Sequence, residues 1–472
     1  MRKKKKKRRK NSGISQLLIC KILYSYRKYW VITICTINLI VIFLFFFFLN
    51  KFFSMFLKTL TSFVIAFLII FSSIIFNGIK NIYSENKIKI FYPLPNDNFN
   101  NVFSETQDLM LRKSDLEVPT LKAEAVNSLT VALELKNAGK FDKAMKVIEH
   151  CVSLAPFDPD ILNSYGEFLE DIQNNVVAAD QMYFQALTKH PGHKRALSNR
   201  MRTAVVVEEM DSVWLRNIDE KRNKVAAIPE TNIALSRAKK EAYFQHIYHT
   251  VGIEGNTMSL SQTRSIVETR MAIGGKSLAE HNEILGLDAA LKYINATLIN
   301  RIGRITVEDI LEIHRRVLGY VDPTECGMYR RNQVFVGGHV PPGPNHIPLL
   351  MDEFSKWLNS DIALRIHPIK LATLAHYKLV HIHPFIDGNG RTSRLLMNMI
   401  LMQAGFPPVI IPKQERHRYY QVLEFANEGD IRPFMRFIAE CTEKTLDLFL
   451  WSTVEFAPSN VPALEFYKDN YV

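Results

Sequence analysis

The chain has 472 residues, with 59 Lys and Arg against 47 Asp and Glu and a formal net charge of +12. The excess is local: twelve basic residues lie at or before Lys28, no acidic residue precedes Glu85, and the remainder carries 47 of each sign. A neutral body of this length excludes a general nucleic-acid binder and is long enough for two or three domains with a sizeable core.

Residues 1–28 form a basic head, unbroken from Arg2 to Lys10 and extended by Lys21, Arg27 and Lys28. Residues 29–78 read as a membrane anchor. Tyr29 to Asn50 is uncharged for 22 residues, enough to span a bilayer, and a second uncharged run covers Thr59 to Gly78. Both runs are too long for a cleaved signal, and no small-residue cleavage site follows them. The positive-inside rule puts the N-terminus in the cytosol. One crossing would place the body on the lumenal side and two would return it; hydropathy alone leans towards two. Cys20, Cys35, Cys151, Cys326 and Cys441 are too scattered for a disulfide framework and read as small buried residues.

Residues 79–120, with Pro93, Pro95 and several Asn, read as a stalk. An internal repeat follows over 121–192. Ala144 and Ala179, and Pro156 and Pro191, are each 35 residues apart, one more than the 34-residue TPR period. The extra residue fits a turn at Asn174-Asn175. Small residues at fixed offsets let paired helices pack closely, and the prolines close each unit. Two TPR-like repeats need a third partner, which a long charged linker helix at 193–228 supplies. Such an array is a protein-docking surface.

Residues 229–455 are predicted to be helical, with a core at about 305–440; 456–472 form a tail. Thr250-Val251-Gly252-Ile253-Glu254-Gly255-Asn256 follows a helix from about Leu235. Ser277-Leu278-Ala279-Glu280 begins a further segment in which Leu278, taken alone, reads as a core leucine. Gln333 to His339 alternates, is β-prone and precedes Pro341-Pro342-Gly343-Pro344, predicting a small β-hairpin in which Gly337 and Gly338 permit close backbone approach. Pro368 opens a helix through Leu371, Leu374, Ala375, His376 and Leu379, with His376 a partnered core residue.

The chemistry concentrates in His383-Pro384-Phe385-Ile386-Asp387-Gly388-Asn389-Gly390-Arg391-Thr392-Ser393-Arg394. Gly388, Asn389 and Gly390 tolerate the backbone angles of an anion-binding nest. The apolar run from Arg391 to Gln403, closed by Gly405, makes that nest a helix N-terminus, where free N–H groups and the macrodipole favour phosphate. Arg391 and Arg394 share a helical face and can clamp phosphate oxygens. Asp387 is a hard oxygen ligand suited to Mg²⁺ shared with phosphates. His383 is the nearby group suited to general-base work. His381 and His383 lack the further partners of a zinc-type site.

This segment resembles the Fic motif, H-x-F-x-[DE]-G-N-G-R-x-x-R, with every position filled. From about residue 120 to 450 the chain is similar to the metazoan, ER-membrane type of Fic protein adenylyltransferase. The resemblance implies a mainly α protein: membrane anchor, two TPR repeats, linker helix, and an all-helical Fic domain with a small β-hairpin flap. It implies AMP transfer from ATP to a protein hydroxyl, with His383 as base and Mg²⁺ on Asp387 (Mn²⁺ as the alternative ion). The nucleotide would be held by Val336, Gly337, Gly338, His339, Asp387, Gly388, Asn389, Gly390, Arg391, Thr392, Ser393, Arg394, Tyr419, Tyr420 and Asn427.

Residues 250–256 resemble the family's inhibitory motif, [ST]-x-x-x-E-[GN]. Glu254 would then occupy Arg394, which the γ-phosphate needs, and would also orient water to hydrolyse an AMP–protein bond. Leu278 matches the anchor of the family's homodimer interface. Relatives are single-pass type II proteins of the ER membrane with the catalytic body in the lumen, which favours one net crossing and agrees with the glycosylation sequon Asn295-Ala296-Thr297. The implied target is the Hsp70-type chaperone of the ER lumen (BiP), docked by the TPR repeats, with a role in the unfolded protein response. Two other readings are a Fic transferase of another phosphate-containing group and a TPR adaptor with a silent Fic module. The intact arginine pair argues against the first; His383 and an intact nest argue against the second.

Overall fold

In the computed structural model, the described residues are 119–453. The basic head, both uncharged runs, the stalk up to residue 118 and the tail from residue 454 lie outside them. Among the described residues no helix is long and apolar enough to cross a membrane.

The described part is mainly helical. Helices α1 (Pro119–Asn137) and α2 (Phe141–Leu154) pack as a pair, as do α3 (Pro159–Gln173) and α4 (Val176–Lys189). Helix α2 begins at Phe141 and α4 at Val176, 35 residues apart, so the sequence period is the period of the helices. Asn174 takes the left-handed conformation that ends α3, and the side chain of Asn175 caps α4 by accepting from Ala178 N–H. Ala125, Ala132, Ala144 and Ala179 are fully buried with Ile148, Phe168 and Tyr183, because small side chains let these helices approach. Gly166 belongs to the same contact: a Cβ there would collide with the Tyr183 ring. The pairs continue into α5 (Lys194–Ala226), which packs on α4 and on the C-terminal helix.

The remaining helices are α6 (Ile233–Ile253), α7 (Leu260–Thr269), α8 (Leu278–Tyr293), α9 (Val307–Leu318), α10 (Ile347–Leu358), α11 (Asp361–Leu364), α12 (Pro368–Ile382), α13 (Asn389–Gln403), α14 (Arg416–Asn427) and α15 (Arg432–Ser452). Helix α13 is their centre: twelve of its fifteen residues are buried. A helix buried around most of its circumference must be enclosed by others, and α6, α8, α9 and α12 all pack on it. Asn398 on α13 fixes one of these neighbours. Its amide bonds both backbone groups of Val409 at 2.7 and 3.1 Å, while His246 of α6 meets the same carbonyl at 3.2 Å.

The predicted β-hairpin is corrected. Among the described residues there is no strand, and the segment holds one isolated antiparallel bridge, Val336 to His339, around Gly337-Gly338. One residue on each side cannot sustain a ladder, and Pro341 and Pro342 have no N–H to extend it. The flap is therefore a pinned loop.

Helices α8 and α9 touch through Gly286, where a Cβ would meet the carbonyl oxygen of Arg316 at 2.9 Å and clash with that of Val317. Backbone atoms cannot swing aside, so Gly286→Ala is expected to destabilise the fold by about 1–3 kcal/mol. A denaturation midpoint equal to that of the parent would show that the two helices separate without cost.

Candidate active site

Helix α13 starts at Gly388, in the left-handed region at φ 76°, and no side chain caps its first turn. The first N–H groups are therefore available to an anion. Asn389 does not point out of the loop: its Oδ1 accepts from Phe385 N–H at 3.0 Å and its Nδ2 donates to the Phe385 carbonyl at 2.8 Å. The staple closes the loop on itself. His314 of α9 supports it from below. Its Nδ1 accepts from Gly327 N–H at 2.9 Å, so Nε2 carries the proton and donates to the Asp387 carbonyl at 2.9 Å. The His314 ring also stacks on Phe385 at 3.6 Å, and a Cβ at residue 388 would stand 3.2 Å from its Nε2.

His383 ends α12 at φ 49°. The left-handed region costs an ordinary residue about 1–2 kcal/mol, and two contacts hold it there. Arg330 Nε donates to the His383 carbonyl at 2.7 Å, and the His383 Nδ1 lies 3.3 Å from the Val380 carbonyl. Because that carbonyl can only accept, Nδ1 carries the proton and Nε2 keeps its lone pair. Burial pushes the His383 pKa down to about 4, against the opposing pull of the Val380 carbonyl. The imidazole is neutral at pH 7 and ready to take a proton.

Arg394 is 1 % exposed, and its guanidinium is met from three sides. Nη2 donates to Glu254 Oε1 at 2.5 Å and to the Thr250 carbonyl at 3.0 Å, and Nη1 reaches the Tyr419 hydroxyl at 3.4 Å. The Tyr419 hydroxyl in turn donates to His376 Nε2 at 2.9 Å, so α12, α13 and α14 meet at one cation. Burial acts to lower the Arg394 pKa, and Glu254 and Tyr419 together more than offset it. Thr250 to Ile253 form the last turn of α6, and Glu254 is its C-cap residue rather than part of a following loop. That turn tightens, with Glu254 N–H donating to Val251 instead of Thr250, which frees the Thr250 carbonyl for Arg394. Gly390 makes the approach feasible, since a Cβ there would stand 2.5 Å from Glu254 Oε1.

Arg391 is 3 % exposed. Its Nη2 donates to Asp387 Oδ2 at 2.7 Å, and its Nη1 lies 3.3 Å from Glu283 Oε1. Glu283, on α8, accepts from Asn256 at 2.8 Å; burial raises its pKa first, with the Asn256 bond and Arg391 opposing. Arg391 Nε and Nη1 and Arg394 Nε are buried without a hydrogen-bond acceptor, donors that suit further oxyanion oxygens.

Of the other predicted residues, Thr392 and Ser393 are fully buried in the helix. Val336 and Gly337 are exposed and Gly338 half-buried. His339 is buried and donates from Nε2 to the His381 carbonyl at 3.0 Å, while Asn427 bonds the His381 side chain, so flap and α14 converge on one residue. Tyr419 is enclosed against Phe434 and Phe437, and Tyr420 is exposed beneath Arg416. Leu278 is not a core residue: it is 66 % exposed at the start of α8. Asn295 lies exposed in a π-helical turn, Ile294–Leu298. Glu283, His314 and Arg330 were not visible in the sequence, because each acts through partners 53 to 108 positions away or on an ordinary amphipathic helix.

Burial depresses His246, His314 and His383 to about 4, and His249 and His381 to about 3, below their ordinary value of 6.5. The stability these neutral rings contribute is present above pH 6.5 and is lost as the pH falls towards 4, since only the unfolded chain takes up the protons. The slope is expected to reach about 1.4 kcal/mol per pH unit for each histidine. Denaturation midpoints that stay flat between pH 6.5 and 5 would contradict the neutral cluster.

Residues 304–401 match the Fic/DOC family. The chain is 63% identical over 338 residues to "Protein adenylyltransferase Fic" of Aedes aegypti, covering 72% of this chain and 68% of that one. The protein of the same name from Drosophila melanogaster is 63% identical over 341 residues, covering 72% and 69%. Among solved structures, Fic-1 (residues 134–508) from C. elegans superposes with a TM-score of 0.65 at 43% identity, covering 69% of this chain and 97% of that one. With these relatives and with the filled motif at the mouth of α13, the chain belongs to the Fic/DOC family, alongside the animal proteins named protein adenylyltransferase Fic.

Proposed function

We propose that the chain is a protein adenylyltransferase, moving AMP from ATP to a Ser or Thr hydroxyl of a target protein. The observation that carries the reading is a neutral His383, its Nε2 lone pair free, beside a helix N-terminus whose two arginines retain unused donors. The relatives' shared name supports it. In this reading Nε2 of His383 takes the proton of the acceptor hydroxyl as its oxygen attacks the α-phosphorus and pyrophosphate leaves. The first N–H groups of α13 and Arg391 stabilise the charge developing on the phosphate, where positioning and electrostatics dominate. Arg394 holds the γ-phosphate once Glu254 has moved away.

The residues present fit Mg²⁺, with Mn²⁺ as the alternative. Among the described residues no cluster of three His, Cys, Asp or Glu could hold a metal, but Asp387 presents a carboxylate that is 64 % exposed and engaged only by Arg391. One carboxylate together with substrate phosphates is the usual way Mg²⁺ is held. Bound there, the ion would offset phosphate charge.

Glu254 is the inhibitory carboxylate in this proposal, since it occupies the guanidinium that the γ-phosphate requires. The same group, once nucleotide-free, would align a water against an AMP–protein phosphodiester, making the enzyme bifunctional. The target is the ER Hsp70 chaperone BiP, docked by the paired helices α1–α4 acting as TPR repeats. The placement is a single-pass type II anchor with the body in the ER lumen, a reading to which the exposed Asn295 sequon lends support. Exposed Leu278 is the anchor of a homodimer.

Replacing Glu254 with Gly is expected to raise AMP transfer, followed by mass spectrometry of the chaperone after incubation with ATP, and to abolish removal of AMP from the modified chaperone. The two rates must move in opposite directions; a joint fall with the fold intact would overturn the inhibitory reading. Leu278→Asp is expected to yield monomers, because a buried charge would face its symmetry mate without a partner. Sedimentation of an unchanged dimer would remove Leu278 from the interface.

A further inference from the structure

Arg330 is 2 % exposed and is satisfied entirely by backbone carbonyls. Its Nε donates to His383 at 2.7 Å, its Nη1 to Asn332 at 2.8 Å and its Nη2 to Pro342; its own N–H donates to Pro384 at 2.9 Å. Burial lowers its pKa, and among the described residues no carboxylate pairs with it. A buried cation without an anion is costly, so its geometry calls for a reason beyond charge balance. The three acceptors supply one. Asn332 and Pro342 are the two ends of the flap, and His383 is the base.

The flap is also pinned along its length. Gln333 donates to the Pro341 carbonyl at 2.8 Å, Val336 and His339 exchange hydrogen bonds of 3.0 and 2.9 Å at the tip, and His339 donates to the His381 carbonyl at 3.0 Å. These contacts shape the loop, but among the described residues only the guanidinium of Arg330 reaches both ends and His383 together at its base. A planar fork of five N–H donors can serve three carbonyls in fixed directions, which a lysine ammonium on a flexible stem cannot reproduce.

We propose that Arg330 is a positioning residue that sets the register between flap and base, so that an acceptor segment paired with the flap presents its hydroxyl to Nε2 of His383. The inference rests on the transfer reading above. In this proposal the flap, a short loop with a single bridge, is the platform for the acceptor segment, and its rigidity comes from the clasp at its base instead of from strands. The clasp is also separate from the phosphate-binding groups: among the described residues the hydrogen bonds of Arg330 go to His383, Asn332, Pro342 and Pro384 and none to Arg391, Arg394 or the first turn of α13. ATP affinity carried by the phosphate contacts is therefore expected to survive its loss.

The test uses the full-length chain carrying Glu254→Gly, with automodification by ATP as the transfer readout. Adding Arg330→Met is expected to lower kcat at saturating ATP by about 10²-fold, the scale of a misplaced reacting group, and to leave the KM for ATP within about twofold. Arg330→Lys, which keeps the charge but not the fork, is expected to fall between parent and Met. Hydrogen exchange over residues 331–342, followed by mass spectrometry with and without Arg330→Met in the otherwise unaltered chain, should quicken by about tenfold while exchange in α13 stays unchanged.

An active parent whose kcat is indifferent to Arg330→Met overturns the clasp. So does a variant whose exchange rises equally in α13, or whose KM for ATP rises in step with the loss of kcat, because either marks a merely structural residue. A silent Glu254→Gly parent refutes the transfer reading, and the exchange measurement then decides the clasp alone: unaltered flap exchange rejects it. If Arg330→Met does not fold, Arg330→Lys carries the same comparisons, and a Lys variant matching the parent in kcat and flap exchange rejects the fork.

Discussion

The site depends on one buried cation. The Arg394 guanidinium lies almost wholly out of water, and removing a charge from water costs several kcal/mol unless partners replace the solvent. Here the Glu254 carboxylate, the Thr250 carbonyl and the Tyr419 hydroxyl replace it. Those three groups come from two elements separated by the whole Fic-family segment in sequence, so the position of α6 against α13 and α14 follows from satisfying Arg394. Any ligand that displaces Glu254 must itself be an anion with comparable reach, because leaving the guanidinium unpaired is the worse outcome. Selectivity for a charged phosphate is thus imposed from inside the protein.

Burial has opposite consequences for the two kinds of base around α13. Carboxylates stand beside both arginines, and for Arg394 they help to offset burial and keep it a cation. The histidines of α6, α9 and α12 have carbonyls, hydroxyls and amides for neighbours, and desolvation therefore keeps them neutral. One interior so supplies permanent positive charge for phosphate and an unprotonated ring for a hydroxyl proton. The ring's tautomer is set by a single carbonyl, Val380, one helical turn back along α12.

Local chemistry made much of this legible beforehand. The left-handed glycine turn at Gly388, the helix after it and the 35-residue helical period could be read because glycine, proline and alanine act through their own backbone and their immediate neighbours. The motif also named Arg394 and, through the family, its partner Glu254. What escaped notice was what depends on distant partners. Asn389 looked like a nest residue, and its amide instead closes the loop on Phe385. Leu278, taken alone, reads as core, yet it stands exposed beside a capping box; only the family resemblance set it apart from the core. The flap looked like a hairpin because its residues alternate. Alternation cannot reveal whether enough paired length exists for a ladder, nor that an arginine outside the segment would hold its ends.

The location of Glu254 at the very end of α6 has a kinetic meaning. Helix ends fray with small opening free energies, whereas moving a packed helix requires a cooperative rearrangement. Withdrawing this carboxylate needs the last turn to loosen, beginning at a residue whose side chain is already about a quarter exposed, and an anion to take its place at Arg394. The Thr250 carbonyl sits one turn further in and can keep its bond to Arg394 meanwhile, so the guanidinium stays aimed while its counter-ion leaves. The ion pair adds its own cost to that of fraying, so release of such a brake would be slower than bare terminal fluctuation and would be hastened by an anion arriving at Arg394. The enzyme's resting output would be set by the fraction of time that one helical turn spends undone, a quantity that a distant contact on α6 could tune without touching the nucleotide.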